Sequence, residues 1–171
     1  MTADAPTDRS DERFSIRTAN ERDVPLILDF IRELAGYEHL SGAVSATEER
    51  LRAALFRDRP AAEVILGELG DRPVGFAVYF QNFSTFAGRP GLYLEDLFVR
   101  PAYRRRGFGT RLLVRLAGIA VERGYGRMEW AVLDWNEMAL RVYRRIGAEA
   151  MSDWTVHRLT GEALAALARR T

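Results

Sequence analysis

The sequence predicts an α/β protein: a single mixed domain with a central, largely antiparallel sheet flanked by helices. The chain has 171 residues, of which 47% are hydrophobic, and this is enough for one core of ordinary size. Apolar residues recur at helical spacing in some segments and form short continuous or alternating runs in others. The two patterns interleave without an internal repeat or linker, which is typical of helices packed on one sheet.

The N-terminal part of the chain predicts a tail, a strand and a helix. Residues 1–13 are polar and acidic and are expected to form a disordered tail, so the folded domain is expected at residues 14–171. Residues 14–17 alternate in polarity and predict a first strand. A helix follows, and Gly36 is expected to end it. Its apolar stripe consists of Val24, Ile27, Leu28, Ile31, Leu34 and Ala35.

The rest of the chain continues this alternation of elements. Ser45 and Glu48 have the spacing of a capping box and predict the start of a second helix. Glycine and proline at residues 70–73, between two apolar runs, predict a hairpin. The predicted elements are then, in order, a helix to about residue 57, strands at 63–69 and 74–80, a polar segment at 81–91, a strand at 92–99, a helix at 107–124, a strand at 127–133, a helix at 136–146, one or two strands at 149–159, and a final helix capped by Thr160.

Two of these helices carry apolar stripes that are expected to face the core, since residues three or four positions apart share one helix face. In the last helix the stripe is formed by Leu164 and Leu167. In the helix at 107–124 it is formed by Leu112, Leu113, Leu116, Ala117 and Ala120.

The composition excludes some kinds of site and disfavours others. The chain has no cysteine, which excludes disulfides, thiolate metal sites and a cysteine nucleophile, and with only two histidines no metal site is expected. A net charge of +1 disfavours a general nucleic-acid-binding protein. No run of about 18 apolar residues occurs and no signal peptide is recognisable, so a cytoplasmic protein without a membrane span is expected. All 25 basic residues are arginine, a bias that suggests a GC-rich bacterial genome.

The segment at residues 104–110 is the most informative part of the chain. It follows a predicted buried strand and leads into a helix, whose unpaired N–H groups and dipole attract phosphate. Gly107 and Gly109 carry no side chain and let the backbone approach an anion closely. The segment lacks the Gly-Lys-Ser/Thr ending of a Walker loop and the third glycine of a Rossmann fingerprint. The arginines expected to contact a phosphate-rich ligand, rather than to form a solvated face, are Arg104, Arg105 and Arg106.

This loop resembles the pyrophosphate-binding loop of the GNAT superfamily of N-acetyltransferases, which bind acetyl-CoA there. The resemblance covers most of the chain and is strongest to the branch of spermidine/spermine, diamine and thialysine acetyltransferases. Tyr-Leu-Glu-Asp at residues 93–96, together with Tyr37 and Glu38, is more specific for this branch than the glycine loop. The segments that carry the resemblance are 33–38, 92–99, 104–110, 135–137 and 142–148.

The resemblance implies an acetyl-CoA-dependent N-acetyltransferase and assigns its site residues. The acceptor would be the primary amine of a small cationic molecule (a diamine, a polyamine or a lysine-like amino acid) that attacks acetyl-CoA directly in a ternary complex. The resemblance also implies a homodimer. The residues implied for acetyl-CoA are Leu97, Phe98 and Val99 through their backbone, Arg104, Arg105, Arg106, Gly107, Phe108, Gly109, Thr110, Asn136 and Tyr143. The residues implied for the amine are Tyr37, Glu38, Glu95 and Asp96, with Glu95 and Tyr143 catalytic.

The reaction needs a neutral amine and a proton for the departing thiolate. A free alkylamine has a pKa of about 10.4, so a base has to remove a proton; the resemblance assigns this to Glu95, directly or through water. Glu95 and Asp96 should point to opposite faces of their strand unless a bulge intervenes, as the resemblance implies. Their alternative role is a structural ion pair with an arginine. Tyr143, with a phenol pKa of about 10, suits a general acid, and its alternative is a packed aromatic residue.

The sequence leaves the acceptor and some alternative activities open. Residues 81–86 include Phe83 and Phe86 but no acid, which disfavours long polyamines and favours a shorter diamine or a lysine-like amine. Trp154 is expected either to line the same region or to belong to the core. The alternatives are acetylation of a protein, peptide or antibiotic amine, and a non-catalytic acyl-CoA-binding regulatory module. The presence of a complete set of catalytic and amine-binding residues argues against the regulatory module.

Overall fold

The computed structural model describes residues 13–170, which form a mixed α/β fold, as the sequence predicts. The chain divides into two compact units, and the boundary in sequence lies between Ala131 and Val132. Apart from Arg13, the predicted tail at residues 1–13 lies outside the described residues. None of the helices within residues 13–170 has the length and apolar character needed to span a bilayer.

The first unit is built on a five-stranded sheet whose strands lie in sequence order. The first four strands pair with one another in an antiparallel manner, and the fifth runs parallel to the fourth. The sheet is therefore mixed and largely antiparallel, as predicted. Its strands are β1 (Phe14–Thr18), β2 (Glu63–Leu69), β3 (Arg72–Ser84), β4 (Arg89–Val99) and β5 (Met128–Trp130).

Helices account for most of the remaining regular structure. The first unit contains α1 (Val24–Tyr37), α2 (Glu48–Leu55) and α3 (Phe108–Glu122), and the second contains α4 (Glu137–Arg145) and α5 (Gly161–Ala168). β2 and β3 form the predicted hairpin, in which Leu69 lies opposite Arg72 and Gly70 adopts a φ of 59°. The loop of residues 100–107 connects β4 to α3.

α1 covers one face of the sheet. Ile27, Phe30 and Leu34 of α1 pack against Phe76 of β3 and Phe98 of β4, and all five side chains are buried. The rings of Phe30 and Phe76 are stacked, with centroids 5.1 Å apart. Fully burying an apolar side chain of this size contributes about 1.5–3 kcal/mol, so this cluster holds α1 firmly against the strands that carry the candidate site.

α3 covers the opposite face. Side chains alternate along β4, so Leu97 and Val99 point away from the face that carries Phe98. Both lie within 4 Å of the Cβ position of Gly109, at the start of α3. The predicted buried position of Ala117 is wrong, because the buried stripe passes from Leu116 to Ile119 and leaves Ala117 exposed. The buried residues of α3 are Phe108, Leu112, Leu113, Leu116, Ile119 and Ala120.

The end of α1 determines where Glu38 lies. The helix continues one residue beyond Gly36, so the prediction that Gly36 ends it is wrong. The residue that ends it is His39, whose φ of 60° is left-handed. The N–H of His39 donates to the carbonyl of Gly36 at 3.3 Å, and that of Leu40 to the carbonyl of Ala35 at 2.8 Å. These are the two hydrogen bonds of a Schellman motif, and they fix the backbone at Glu38.

The hairpin between β3 and β4 is longer than predicted. The segment at residues 81–91, predicted as polar loop, is mostly strand, because β3 continues to Ser84 and β4 begins at Arg89. Gly88 provides the positive φ of 60° in the turn. Strands of an antiparallel ribbon with an open face do not need continuous apolar sequence, so hydropathy gave no signal for them.

The start of α2 also differs from the prediction. Thr47 is the N-cap, and its Oγ1 accepts the N–H of Arg50 at 3.3 Å. The capping box predicted at Ser45 and Glu48 is therefore wrong, since Glu48 is already the first residue of the helix. A hydroxyl residue two positions closer to the helix takes the capping role.

In the second unit, two predictions are wrong. The strands predicted at 149–159 do not occur, because the regular elements in the part of this unit that the structure describes are helices, which offer no strand edge to pair with. Leu164 and Leu167 of α5, expected to face inward, are 53% and 52% exposed. Trp154 is 72% exposed, so its alternative role as a core residue is excluded.

Candidate active site

β4 separates from β5 partway along its length. The parallel pairing runs from Leu92 opposite Met128 to Leu94 opposite Trp130 and ends there. β4 continues to Val99 and stays paired with β3 on its other side. Beyond Leu94, no strand within residues 13–170 pairs with this edge of β4, and such an open strand edge can pair with an extended, amide-containing ligand.

A β-bulge at Glu95 marks the point of separation. Asp96 lies opposite Val78 and Leu94 lies opposite Tyr79, so Glu95 is an extra residue in β4 with no partner of its own in β3. The bulge that the family resemblance implied is confirmed. It allows two consecutive acids to serve the same region, which a regular strand would place on opposite faces.

The bulge also reverses which backbone groups face the open edge. Before it, the N–H of Leu92 donates to the carbonyl of Arg127 on the β5 side, at 3.0 Å. After it, the N–H of Arg100 donates to the carbonyl of Val74 on the β3 side, at 2.9 Å. Alternation along β4 then directs the N–H groups of Leu97 and Val99 toward the open edge. These are donors for a bound ligand or for a developing oxyanion.

Three carboxylates interact with one another near the bulge and the end of α1. Burial, followed by the negative charges of Glu95 and Glu38, raises the pKa of Asp96 to about 6. Burial also raises the pKa of Glu38. Among residues 13–170, no arginine forms an ion pair with any of the three, so the structural ion pair considered for Glu95 and Asp96 does not occur there. The cluster therefore keeps its negative charge for a cation.

Two arginines between the ends of α1 and β4 are engaged in structural contacts. Arg100 forms an ion pair with Glu33 at 2.7 Å. Arg104 donates from Nε to the carbonyl of Val99 at 2.8 Å, and its guanidinium lies 4.2 Å from the centre of the Tyr37 ring. Arg104 thus connects the end of α1 to the end of β4. Its predicted contact with a phosphate group stays a prediction.

The start of α3 provides backbone donors beside the open edge. Gly107 is the N-cap and adopts a φ of 79°, which residues with a side chain rarely adopt. The first helical hydrogen bond runs from Arg111 to the carbonyl of Gly107, at 3.0 Å, so the N–H groups of residues 108–110 point out of the helix end. A Cβ at Gly109 would lie 3.7 Å from Cδ2 of Leu97, which places this end of α3 next to β4.

The helix end and the open edge together fit an anionic ligand that carries a peptide-like arm. A pyrophosphate group suits the N–H groups and the dipole of α3, and a pantetheine arm suits the edge of β4. Arg106 lies against the ring of Phe108, with its guanidinium carbon 5.0 Å from the ring centre, and Arg105 adopts a φ of 61°. The individual contacts predicted for the loop, including those of Thr110, stay predictions.

In the second unit, α4 carries the two other predicted site residues. Asn136 is the N-cap of α4, and its Oδ1 accepts the N–H of Ala139 at 3.3 Å. Tyr143 lies within α4 and is half-buried, and this burial raises the pKa of its phenol. A raised pKa keeps the phenol protonated at neutral pH, as a general acid requires. The contacts of both residues with acetyl-CoA stay predictions.

The sequence reasoning missed a polar cluster that links β3 to β5. Asn82 donates from Nδ2 to Oε2 of Glu129 at 2.8 Å, and Nε of Arg127 lies 2.8 Å from the same oxygen. Arg127 and Glu129 are two positions apart, a spacing that would have indicated a polar face of this strand. Asn82 could not be placed with them from sequence, because only the pairing of β3, β4 and β5 brings the three together.

Comparison with known proteins agrees with this geometry. The model of the acetyltransferase (GNAT) family matches residues 28–148. The chain is 38% identical to thialysine N-epsilon-acetyltransferase of Bos taurus, over 90% of this chain and 96% of that protein. It is 34% identical to L-ornithine N5-acetyltransferase of Arabidopsis thaliana, over 89% of this chain and 86% of that protein. Among solved structures, an integron cassette protein from the mobile metagenome of V. cholerae is similar, with a TM-score of 0.76 and 27% identity, over 92% of this chain and 98% of that one.

Replacing Asp96 by Asn should stabilise the folded protein at pH 7–8 by about 3 kcal/mol. The pKa of Asp96 is about 6 in the folded protein against 3.8 as the ordinary value, so its charged form disfavours folding. This cost is complete above about pH 6 and absent below about pH 4. The gain in unfolding free energy of the variant, measured by urea denaturation, should therefore shrink as the pH falls through this window.

Asp58, an exposed residue in a loop, provides the matched control. Asp58→Asn should show no stabilisation that depends on pH between 4 and 8. If Asp96→Asn raises the unfolding free energy equally at pH 4 and pH 8, or does not raise it at all, the charge of Asp96 does not destabilise the folded protein.

Proposed function

The chain belongs to the GNAT family of acetyltransferases, and on this premise we propose that its acceptor is the terminal amine of a short cationic molecule, a diamine or a lysine-like amino acid. It is an acetyl-CoA-dependent N-acetyltransferase of small amines. The observation that carries the proposal is the bulge at Glu95, beside which an open strand edge and a cluster of unpaired carboxylates occur together. The edge suits the acyl donor and the cluster suits an ammonium group.

The acetyl donor supplies a thioester, and the loop and strand residues bind it. In this proposal the backbone groups of Leu97 and Val99 pair with the pantetheine amides, and Asn136 contributes from the second unit. The contact predicted for the backbone of Phe98 is not retained, because its N–H and carbonyl face β3. The pyrophosphate group interacts with the loop residues Arg104, Arg105, Arg106, Gly107, Phe108, Gly109 and Thr110. The N–H of Leu97 faces the open edge and is the donor for the oxyanion that develops on the thioester oxygen.

The amine is bound as a cation and attacks as a neutral group. Glu38, Asp96 and Tyr37 bind the ammonium form, and Glu95, directly or through a water molecule, accepts one of its protons. The freed lone pair attacks the thioester carbon in a ternary complex, so that an N–C bond forms. The C–S bond then breaks, and the bonded nitrogen gives its second proton to solvent as the amide forms. The thiolate takes the phenol proton of Tyr143, which bulk solvent later restores.

A short acceptor is favoured over a long polyamine. Thialysine and ornithine, named in two relatives that are 38% and 34% identical, each carry one side-chain amine on a short chain. The hairpin end at residues 81–86 carries Phe83 and Phe86 and no acid, so a third cationic group of a long polyamine would lack a carboxylate there.

Residues 14–171 are taken as one acetyltransferase domain, since the family match runs across the boundary between the two units.

We propose that the protein is a homodimer and that it is located in the cytoplasm, where acetyl-CoA is available. The aromatic side chains of Phe83 and Phe86, 59% and 96% exposed, support an interface at the β3–β4 hairpin, because exposed aromatic residues are enriched at interfaces.

The proposed reaction is tested by following free thiol release from acetyl-CoA with diamines, polyamines, lysine-like amino acids and peptides as acceptors. Short amines should be the best acceptors, and Tyr143→Phe should lower kcat by roughly 100-fold or more while CoA binding persists. Tyr125→Phe is the matched control, since the hydroxyl of Tyr125 bonds to Gln81 and has no role in the reaction. A best substrate with an anionic or neutral tail would refute the cationic acceptor. An unchanged kcat for Tyr143→Phe, with chemistry as the rate-limiting step, would refute the role of Tyr143 as the general acid.

Binding of acetyl-CoA should depend on the start of α3. Gly109→Glu should weaken CoA binding at least about tenfold in calorimetry, because it adds bulk and a negative charge beside the phosphate donors. Gly109→Gln separates the two effects, since it has the same size without the charge. Gly109→Ala should fold normally, because its Cβ would make ordinary contacts of 3.7 and 3.9 Å. Unchanged CoA affinity of a folded Gly109→Glu protein would remove the loop from the cofactor site.

The dimer should be visible by light scattering at micromolar concentration as a mass twice that of one chain. Phe86→Ser should shift the equilibrium toward the monomer, because it removes apolar area from the proposed interface. Val121 on α3, 79% exposed, gives a matched control, and Val121→Ser should leave the dimer unchanged. A monomeric mass for the unmodified chain would overturn the homodimer.

A further inference from the structure

The cluster of Asn82, Arg127 and Glu129 lies on the same face of the sheet as Asp96. Val78, opposite Asp96, packs on the α1 side, and alternation along β3 puts Phe80 and Asn82 on that side too. Phe80 lies opposite Tyr93 of β4, and Tyr93 lies opposite Glu129 of β5. A continuous surface therefore runs across three strands from Asp96 to the cluster.

Tyr93 lies between the two groups of charges along this surface. Its pKa is raised by burial first, and then by the negative charges of Glu95 and Glu129, so both carboxylates act on its hydroxyl. Its ring lies against that of Phe80, with centroids 5.1 Å apart. An alkyl chain that extends from the Glu95 region toward Glu129 would lie on these two aromatic rings.

The cluster is held in place but keeps unused polar atoms. Asn82 donates a hydrogen bond to Oε2 of Glu129, and Arg127 forms an ion pair with the same oxygen. Within residues 13–170, Oε1 of Glu129 and the two terminal nitrogens of Arg127 make no hydrogen bond. Both side chains are about two-fifths exposed, at 40% for Arg127 and 36% for Glu129. A free carboxylate oxygen beside a free guanidinium fork can bind an ammonium and a carboxylate side by side.

Gly91 allows the cluster to form. It lies opposite Asn82 in β3, and a Cβ on it would collide with Oδ1 of Asn82 and approach Cγ of Arg127 to 3.0 Å. The two side chains thus occupy the volume that any larger residue at position 91 would need. The convergence of Asn82 and Arg127 is therefore specified by the sequence of β4 as well as by their own positions.

We propose that Arg127 and Glu129 bind the α-carboxylate and α-ammonium groups of an amino-acid acceptor whose terminal amine is acetylated beside Glu95. The inference rests on the proposed function and assigns specificity for ω-amino acids over diamines to these two residues. A diamine would meet Glu129 with its second ammonium but would also meet the positive charge of Arg127. An amino acid has an opposite charge for each of them.

The spacing of the two sites agrees with this assignment. Glu95 follows Tyr93 by two strand positions, and Glu129 lies one strand away from Tyr93, so the backbone positions are separated by about 8 Å. The two nitrogens of an extended lysine-like amino acid are six bonds apart, roughly 7.5 Å. Such an acceptor can reach the cluster while its terminal amine stays at the bulge.

The test compares ornithine with putrescine and lysine with cadaverine, pairs that differ only in the α-carboxylate. The wild-type protein should favour the amino acid of each pair at least about tenfold in kcat/KM. Arg127→Gln should raise KM for the amino acid about tenfold and leave KM for the diamine unchanged or lower. Arg127→Glu should invert the preference, because it replaces the repulsive charge by an attractive one for the second ammonium of a diamine.

Arg115→Gln is the matched control, since Arg115 forms a comparable ion pair with Glu122 on α3. It should leave the ratio within each pair unchanged. An equal effect of Arg127→Gln on both members of a pair, or a wild-type preference for the diamine, would overturn this inference while leaving the acetyltransferase intact. Failure of every amine to accept the acetyl group would instead remove the proposed function, and this inference with it.

Discussion

One additional residue in β4 is the constraint on which the site depends. The bulge at Glu95 interrupts the regular alternation of the strand. This single irregularity affects both the backbone donors and the acidic side chains of the site. Beyond it, the N–H groups of Leu97 and Val99 face the edge of β4 along which β5 has already ended, and two consecutive acids lie within reach of Glu38. In a regular strand the N–H groups of Asp96 and Phe98 would face that edge instead, and the two acids would lie on opposite faces of the sheet. The α1 cluster around Phe30 and Phe76 keeps this distorted strand in place.

The charges near the site are divided between binding and structure. The two arginines that lie between the ends of α1 and β4 are committed to other groups: Arg100 to Glu33, and Arg104 to a backbone carbonyl and an aromatic ring. The acids consequently stay unneutralised, and burial increases the cost of their charge, as the raised pKa of Asp96 indicates. A cation is the natural partner of such a group. Since the chain has no lysine, no side chain of its own can serve as the acetyl acceptor.

The sequence predicted much of the fold because its signals are local. The apolar stripe of α1, the turn at Gly70 and the glycines before α3 each depend on a few neighbouring residues, and the structure has an element at each place. Predictions failed where the deciding partner is distant. The ribbon beyond residue 80 needs its opposite strand to be recognised, and Glu129 is joined to Asn82 only through the register of the sheet. The bulge itself was foreseen only through the family resemblance, since nothing in Leu-Glu-Asp-Leu distinguishes a bulge from a regular strand.

Arg104 gives the two halves of the site a common mechanical support. Its guanidinium holds the carbonyl at the end of β4 and the ring of Tyr37, the residue that precedes Glu38. A ligand that displaces the strand end must alter this contact, and so must one that displaces the helix end. The free energies of binding at the two places are then linked, and linkage is reciprocal: whatever factor one ligand imposes on the affinity of the second, the second imposes on the first.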